Sequence, residues 1–302
     1  LVQTEDFGPA LSHAHLQWST FLLAISLSAG WQLTFGPYAG DYSRYLPRDT
    51  PFARAWLGPF AGSVLGATIS MTLGVFIAVA GGDAFLDNQI GYVGNLAQNH
   101  VLAELVFVTI VVGKLTINTL NAYGGVMAVA TAMSGFTGRD HISPRLRMAF
   151  VVAFNLLVVG IALWASQDFL GNFKNFVLAL LMFFIPWSAI NLINYYLIAR
   201  GNIDIPALYT TRGRYGAVSW PTIAVYVVGV VVAQVPFLAQ AIYTGPLTRA
   251  LGGADISWIV GLVVTAALYW PVGQRAFTYP DRLIYPENEV RQDPAKFADA
   301  PR

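Results

Sequence analysis

The chain has 302 residues, 56% of them hydrophobic and 11% charged, with a formal net charge of +1 and no cysteine. Soluble domains carry about a quarter charged residues, so this composition points to lipid as the solvent. Disulfides and thiolate metal sites are excluded, and no basic stripe marks a nucleic-acid partner. In chain order, seven runs are long and apolar enough for the ~20 residues a bilayer core asks of a helix. They are residues 16–37, 55–80, 105–133, 148–166, 173–197, 217–238 and 256–272. The runs are continuous rather than alternating, and lipid demands internally satisfied backbones, so helices are expected rather than barrel strands. The predicted fold class is an all-α polytopic membrane protein.

Fourteen of the 17 basic residues fall on one side of these spans. Arg44, Arg48 and Arg54 follow the first run, Arg139, Arg145 and Arg147 the third, and Arg200, Arg212 and Arg214 the fifth. Arg275, Arg282, Arg291, Lys296 and Arg302 form the tail. The opposite side holds Lys174 and Arg249 with the acidic Asp83 and Asp87, and Lys114 lies inside the third run. The positive-inside rule then puts the tail in the cytoplasm and Leu1 outside a plasma or inner membrane, in a multi-pass protein. A chain that starts outside, on Leu1 and without a signal peptide, is expected to be the C-terminal portion of a longer protein whose upstream helices are odd in number.

The first run ends with Gly30, Gly36, Pro37 and Gly40 inside eleven residues. Proline removes an amide donor and glycine weakens helix propagation, so a broken helix is expected here. Broken helices at membrane depth line cavities in transporters, whereas the plainer reading is a frayed helix end near the surface.

The stretch from Gly30-Trp31 through Asp41-Tyr42-Ser43-Arg44-Tyr45-Leu46-Pro47 resembles the sixth-helix signature of the nucleobase–cation symporter-1 family, the cytosine, purine, uracil, allantoin and hydantoin permeases. Gly113-Lys114 followed by Leu120-Asn121-Ala122-Tyr123 is similar to that family's eighth helix. Asn194-Tyr195-Tyr196-Leu197-Ile198-Ala199-Arg200-Gly201 resembles the end of its tenth, and Gly252-Gly253-Ala254-Asp255-Ile256-Ser257-Trp258-Ile259-Val260-Gly261 the start of its twelfth. The resemblance runs the length of the chain in order. It implies the leucine-transporter fold, in which two inverted five-helix repeats enclose a midplane site. The expected divisions are an external segment 1–15, the second five-helix repeat 16–200, a cytoplasmic loop 201–216, two peripheral helices 217–272 and a cytoplasmic tail 273–302. The first repeat would be a missing partner.

The same resemblance implies a symporter for a heterocycle such as cytosine, a purine, uracil or allantoin, and it nominates residues. Trp31 would stack on the flat ring, the alternative being a packing or interfacial tryptophan. Gln32 and Phe35 on the same stretch are further candidates. Asn118 and Asn121 lie three apart, hence on one helical face, and carboxamides match the edge of a nucleobase. The family uses an eighth-helix Asn in this way; the alternative is an interhelical clamp. Thr116 matches one of the paired hydroxyls of sodium-coupled relatives, but Ile117 stands beside it where a second oxygen is expected, so a proton is favoured over sodium as coupling cation. Lys114, a charge inside a span, is read as a counter-charge or gate, or as a side chain snorkelling outward. Asp41 and Arg44, three apart, are expected to pair as a helix cap or a cytoplasmic gate.

No catalytic residue, cofactor or metal site is expected, since no acid pair, His cluster or nucleophile with a base lies in the spans. The alternative function is a seven-helix receptor or retinal protein. Retinal chemistry needs a lysine in the last helix, and residues 256–272 contain none.

Overall fold

In a computed structural model, the described residues are 15–286 without 44, 48–49, 98, 138–142, 166–167, 211 and 241–242, and without the side chains of 134–137. The expectations for segment 1–14 and for the tail beyond residue 286 fall outside them. The described residues form helices in chain order: α1 (Trp18–Ser43), α2 (Phe52–Asp87), α3 (Gln89–Asn95), α4 (His100–Thr137), α5 (Pro144–Ala165) and α6 (Phe169–Leu192). A π-helical stretch, Ile193–Ile198, extends α6. Next come α7 (Trp220–Val227), its π-helical and 3-10 continuations Val228–Gln234 and Val235–Phe237, α8 (Pro246–Ala250) and α9 (Ser257–Ala276). Strand pairing among them is confined to two isolated bridges. This is an all-α polytopic membrane architecture.

Six of the seven expected runs coincide with helices long and apolar enough to cross a membrane. The remaining one, α1, has the length, 26 residues, but serines, Thr20, Gln32, Thr34 and Asp41 dilute its apolar character. The broken helix expected at Gly30 to Gly40 is overturned: α1 runs unbroken from Trp18 to Ser43 with Pro37 inside it. Pro37 withholds a single amide, the one that would bond to the carbonyl of Leu33. Where water is scarce, keeping every other backbone bond outweighs that loss. The real irregularities lie elsewhere. Gly82 in α2 takes φ 49° and ψ −129°, a left-handed conformation open to glycine, and it kinks that helix. The two π-helical stretches interrupt the fifth and sixth runs.

The chain divides into two compact units. One comprises Gly36–Phe169: the end of α1, then α2 to α5. Within it, Phe154 of α5 packs against Gly125 of α4, where an added Cβ would come within 2.7 Å of its ring. An open apolar cleft beside that contact is lined by Val126, Val129, Phe150 and Leu157. The Asn88 side chain accepts from the Gly91 amide at 2.8 Å and starts α3 after the kink.

The other unit comprises Leu16–Phe35 and Leu170–Arg302. Its core is one face of α6, Val177, Leu178, Leu181, Ile185, Ser188 and Ala189, spaced at the helical repeat. Gly30 of α1 is buried against this face: a Cβ there would lie 2.8 Å from Val177 Cγ1 and 3.0 Å from the Val177 carbonyl oxygen. The helices approach so closely only because residue 30 has no side chain.

Pro186 sits inside α6 and leaves the Met182 carbonyl without its helical amide. The Gln234 amide, fully buried, donates to that carbonyl at 2.7 Å and also to Gly229 O at 3.3 Å. The Tyr226 hydroxyl donates to the next carbonyl, Phe183 O, at 3.3 Å. The sequence around α7 thus supplies from its side chains what proline takes from the backbone of α6.

Candidate functional site

The nominated residues fall in both units. Trp31, Gln32 and Phe35 belong with α6 to α9, and Asp41, Lys114, Thr116, Asn118 and Asn121 with α2 to α5. Trp31 follows the buried Gly30, and its own side chain is 50% exposed, which leaves indole surface open. Its ring tilts against Phe173 of α6, with centroids 6.4 Å apart and planes at 56°. The Thr34 hydroxyl donates to the Trp31 carbonyl at 2.9 Å. Gln32 and Phe35 are half-buried on the same helix.

On α4, Lys114, Thr116 and Asn118 are exposed within the chain and Asn121 is half-buried. The Thr116 hydroxyl bonds back to Val112 O at 2.9 Å. Asn121 stands just before two contacts between α4 and the end of α1. Tyr38 borders Gly124, whose added Cβ would lie 3.2 Å from the ring, and the Tyr45 and Tyr123 hydroxyls are 3.2 Å apart. Asp41 is half-buried at the end of α1; its expected partner Arg44 lies outside the described residues. Among the described residues no cluster of three or more His, Cys, Asp or Glu side chains could hold a metal.

Sequence reasoning passed over two polar centres in the second unit. Asp255 is 5% exposed and its carboxylate is saturated. Oδ1 accepts from the Ser257 amide at 2.9 Å and the Ser257 hydroxyl at 2.6 Å, and Oδ2 from the Ala239 amide at 2.9 Å. It starts α9 and ties down the preceding loop, a fit between an acid and a helix N-terminus. The quoted Gly252 to Gly261 motif carried that signal. The other centre is Asn194, whose Oδ1 accepts from the Tyr269 hydroxyl at 3.0 Å and the Tyr279 hydroxyl at 2.7 Å. Its partners are 75 and 85 residues away, so nothing local in the sequence announces them.

One unit presents a half-exposed aromatic face at Trp31, and the other carries the carboxamides of Asn118 and Asn121 on α4. Residues 1–261 match the family described as permease for cytosine/purines, uracil, thiamine, allantoin. The chain is 33% identical over 250 residues to a Bacillus subtilis (strain 168) protein named as the purine-cytosine permease YxlA. That alignment covers 83% of this chain and 54% of the relative, so the chain spans about half the length of the curated relative it matches. No solved structure matches. Permeases of this family are transporters rather than enzymes, and the receptor and retinal readings lose their footing. The chain belongs to the cytosine/purine permease family, the nucleobase–cation symporters.

Proposed function

We propose that the full-length protein carrying this chain imports a nucleobase or related heterocycle by cation-coupled symport, with this chain supplying the second repeat and two peripheral helices. The family match over residues 1–261 carries this reading. Trp31 supplies a stacking face, with Gln32 and Phe35 beside it on α1. Asn121, with Asn118, hydrogen-bonds the edge of the heterocycle. The half-exposed indole at a helix contact fixed by Gly30 supports the stacking role.

A proton is the favoured coupling cation, because Ile117 beside Thr116 adds no oxygen where a sodium site expects a second one. Lys114 serves as a counter-charge or gate in the span. Asp41, half-buried at the end of α1, is the candidate for its cytoplasmic cap or gate. The C-terminus is cytoplasmic and Leu1 is external in the cell membrane, as the bias of basic residues favours.

The test is uptake by the full-length protein in liposomes, with labelled cytosine, uracil, allantoin and hypoxanthine, under a pH gradient or a sodium gradient. Saturable, pH-driven uptake of one of them is expected. Trp31→Ala should weaken apparent affinity by about 1–3 kcal/mol, the worth of a base stacked on an aromatic ring. Asn121→Ala should weaken it comparably with membrane expression retained. Unchanged affinity in both variants would remove these residues from the site, and no uptake of any heterocycle would remove the function.

A further inference from the structure

The family match ends at residue 261, yet the segment that follows α9 is tightly engaged. The Ile284 amide donates to Ile203 O at 3.0 Å, and Ile284 O accepts from the Ile205 amide at 3.1 Å. Asn202 donates to Asp281 O at 3.1 Å, and Arg214 to Thr278 O at 3.4 Å. Tyr215, whose hydroxyl accepts from the Asp204 amide at 2.9 Å, packs its ring on Phe277 and Tyr279. Residues 277–284 therefore form a strap laid across the loop after α6.

The strap also reaches the helix itself. Asn194 lies in the π-helical end of α6, where the Ala199 amide bonds to Asn194 O at 2.7 Å, five residues back instead of four. The Gly201 amide then bonds to Tyr195 O at 3.0 Å, and the turn closes with Arg200 at φ 52°. Among the described residues Arg200 is the one non-glycine with positive φ, a position where glycine is usual and a side chain is strained. Such strain persists only where the surroundings hold it, and here the Asn194 side chain is gripped by Tyr269 of α9 and Tyr279 of the strap.

We propose that residues 277–284 are a latch: Tyr279, together with Tyr269, clamps Asn194 and keeps the end of α6 in its strained π-helical form, so that release of the strap frees that end to move. The assignment stands apart from the transport reading, since it concerns how one helix end is held and not what the protein carries. It gives Asn194, the first residue of the third stretch of family resemblance, a task, and the strap lies after the residues that match the family.

Hydrogen–deuterium exchange on the whole protein carrying this chain, in lipid nanodiscs, tests it. Tyr279→Phe keeps the ring and removes the hydroxyl. Exchange should accelerate about ten-fold at the Ile284 amide of the strap and the Ile205 amide of the loop it crosses, and equally at the Ala199 and Gly201 amides of the helix end. Tyr209→Phe, in the same loop and 87% exposed, should change neither. Acceleration confined to the strap, or absent, would overturn the latch. Amides of α9 report global unfolding; should they lose protection in the variant, Arg200→Gly with the tyrosines intact decides. Relieving the strain should slow exchange at Ala199 and Gly201, and unchanged or faster exchange there would overturn the proposal.

Discussion

At the residue scale, the second unit is held by polar side chains that answer defects in the backbone. Gln234 fills the vacancy that Pro186 leaves at Met182 O. Gln234→Leu should therefore destabilise the fold by about 1–2 kcal/mol, as for a buried acceptor left without a donor in lipid. Pro186→Ala restores the missing amide, so the double variant should lose less than the sum of the two single ones. Denaturant unfolding in mixed micelles measures all three, and strict additivity would show that the amide is not answering the proline.

Tyr279 makes a second case. Burial pushes its pKa up to about 12, eased by the Asn194 hydrogen bond and raised further by Tyr269 and Tyr215 nearby. Arg214, which meets the strap at Thr278 O, pairs with Asp204 at 3.6 Å. The folded protein thus holds this proton more tightly than the unfolded chain, whose tyrosines titrate near 10.0. The stability it contributes is complete below about pH 10 and drains away as pH climbs toward 12. The alkaline tyrosinate difference spectrum should contain a late-titrating tyrosine that Tyr279→Phe lacks.

At the element scale, the α1–α6 contact depends on Gly30. Gly30→Val would drive methyl groups into Val177 and its carbonyl oxygen, overpacking that should cost about 1–3 kcal/mol and displace the neighbouring Trp31. Gly36 and Gly40 have nothing within 4 Å of an added Cβ. Alanine at either should leave the melting temperature unchanged or raise it slightly, since a helix interior prefers it. Thermal unfolding of the three variants separates a packing glycine from merely tolerated ones. Equal effects would deny the close approach.

The same elements mark how far the sequence could be read. Six of the seven apolar runs match candidate spans because hydrophobicity over twenty-odd residues is a strong, local signal. The helix through Pro37 was misread, since a rule for helices in water was applied where lipid penalises open backbone. Neither π-helical stretch left a trace, because one extra residue per turn alters no composition. Resemblance nominates Trp31 and Asn121, but what surrounds them was not legible. Asn194 was quoted without its tyrosines, which only the folded chain brings near.

At the scale of the whole molecule, orientation is the testable matter. Removing α1 from the count of spans would shift Leu1 alone, since the loops after α1, α4 and α6 and the tail keep their basic residues on one side of the remaining helices. A reporter fused after Arg302 should be active in the cytoplasm, and one inserted near Asn88 should read as external. The reverse at either position would invert the topology.

Helix length has a consequence for the bilayer itself. α4 has 38 residues, about 57 Å at the usual rise, against a hydrocarbon core near 30 Å. The 36 residues of α2 overshoot similarly before allowance for the kink at Gly82. Helices this long have length to spare in any natural membrane: thicker lipids should draw them upright and thinner ones lay them over. Chain length of the host lipid should thus change their tilt rather than their survival, and the polar ends near Asp83, Asp87 and Glu104 can reach water at every thickness.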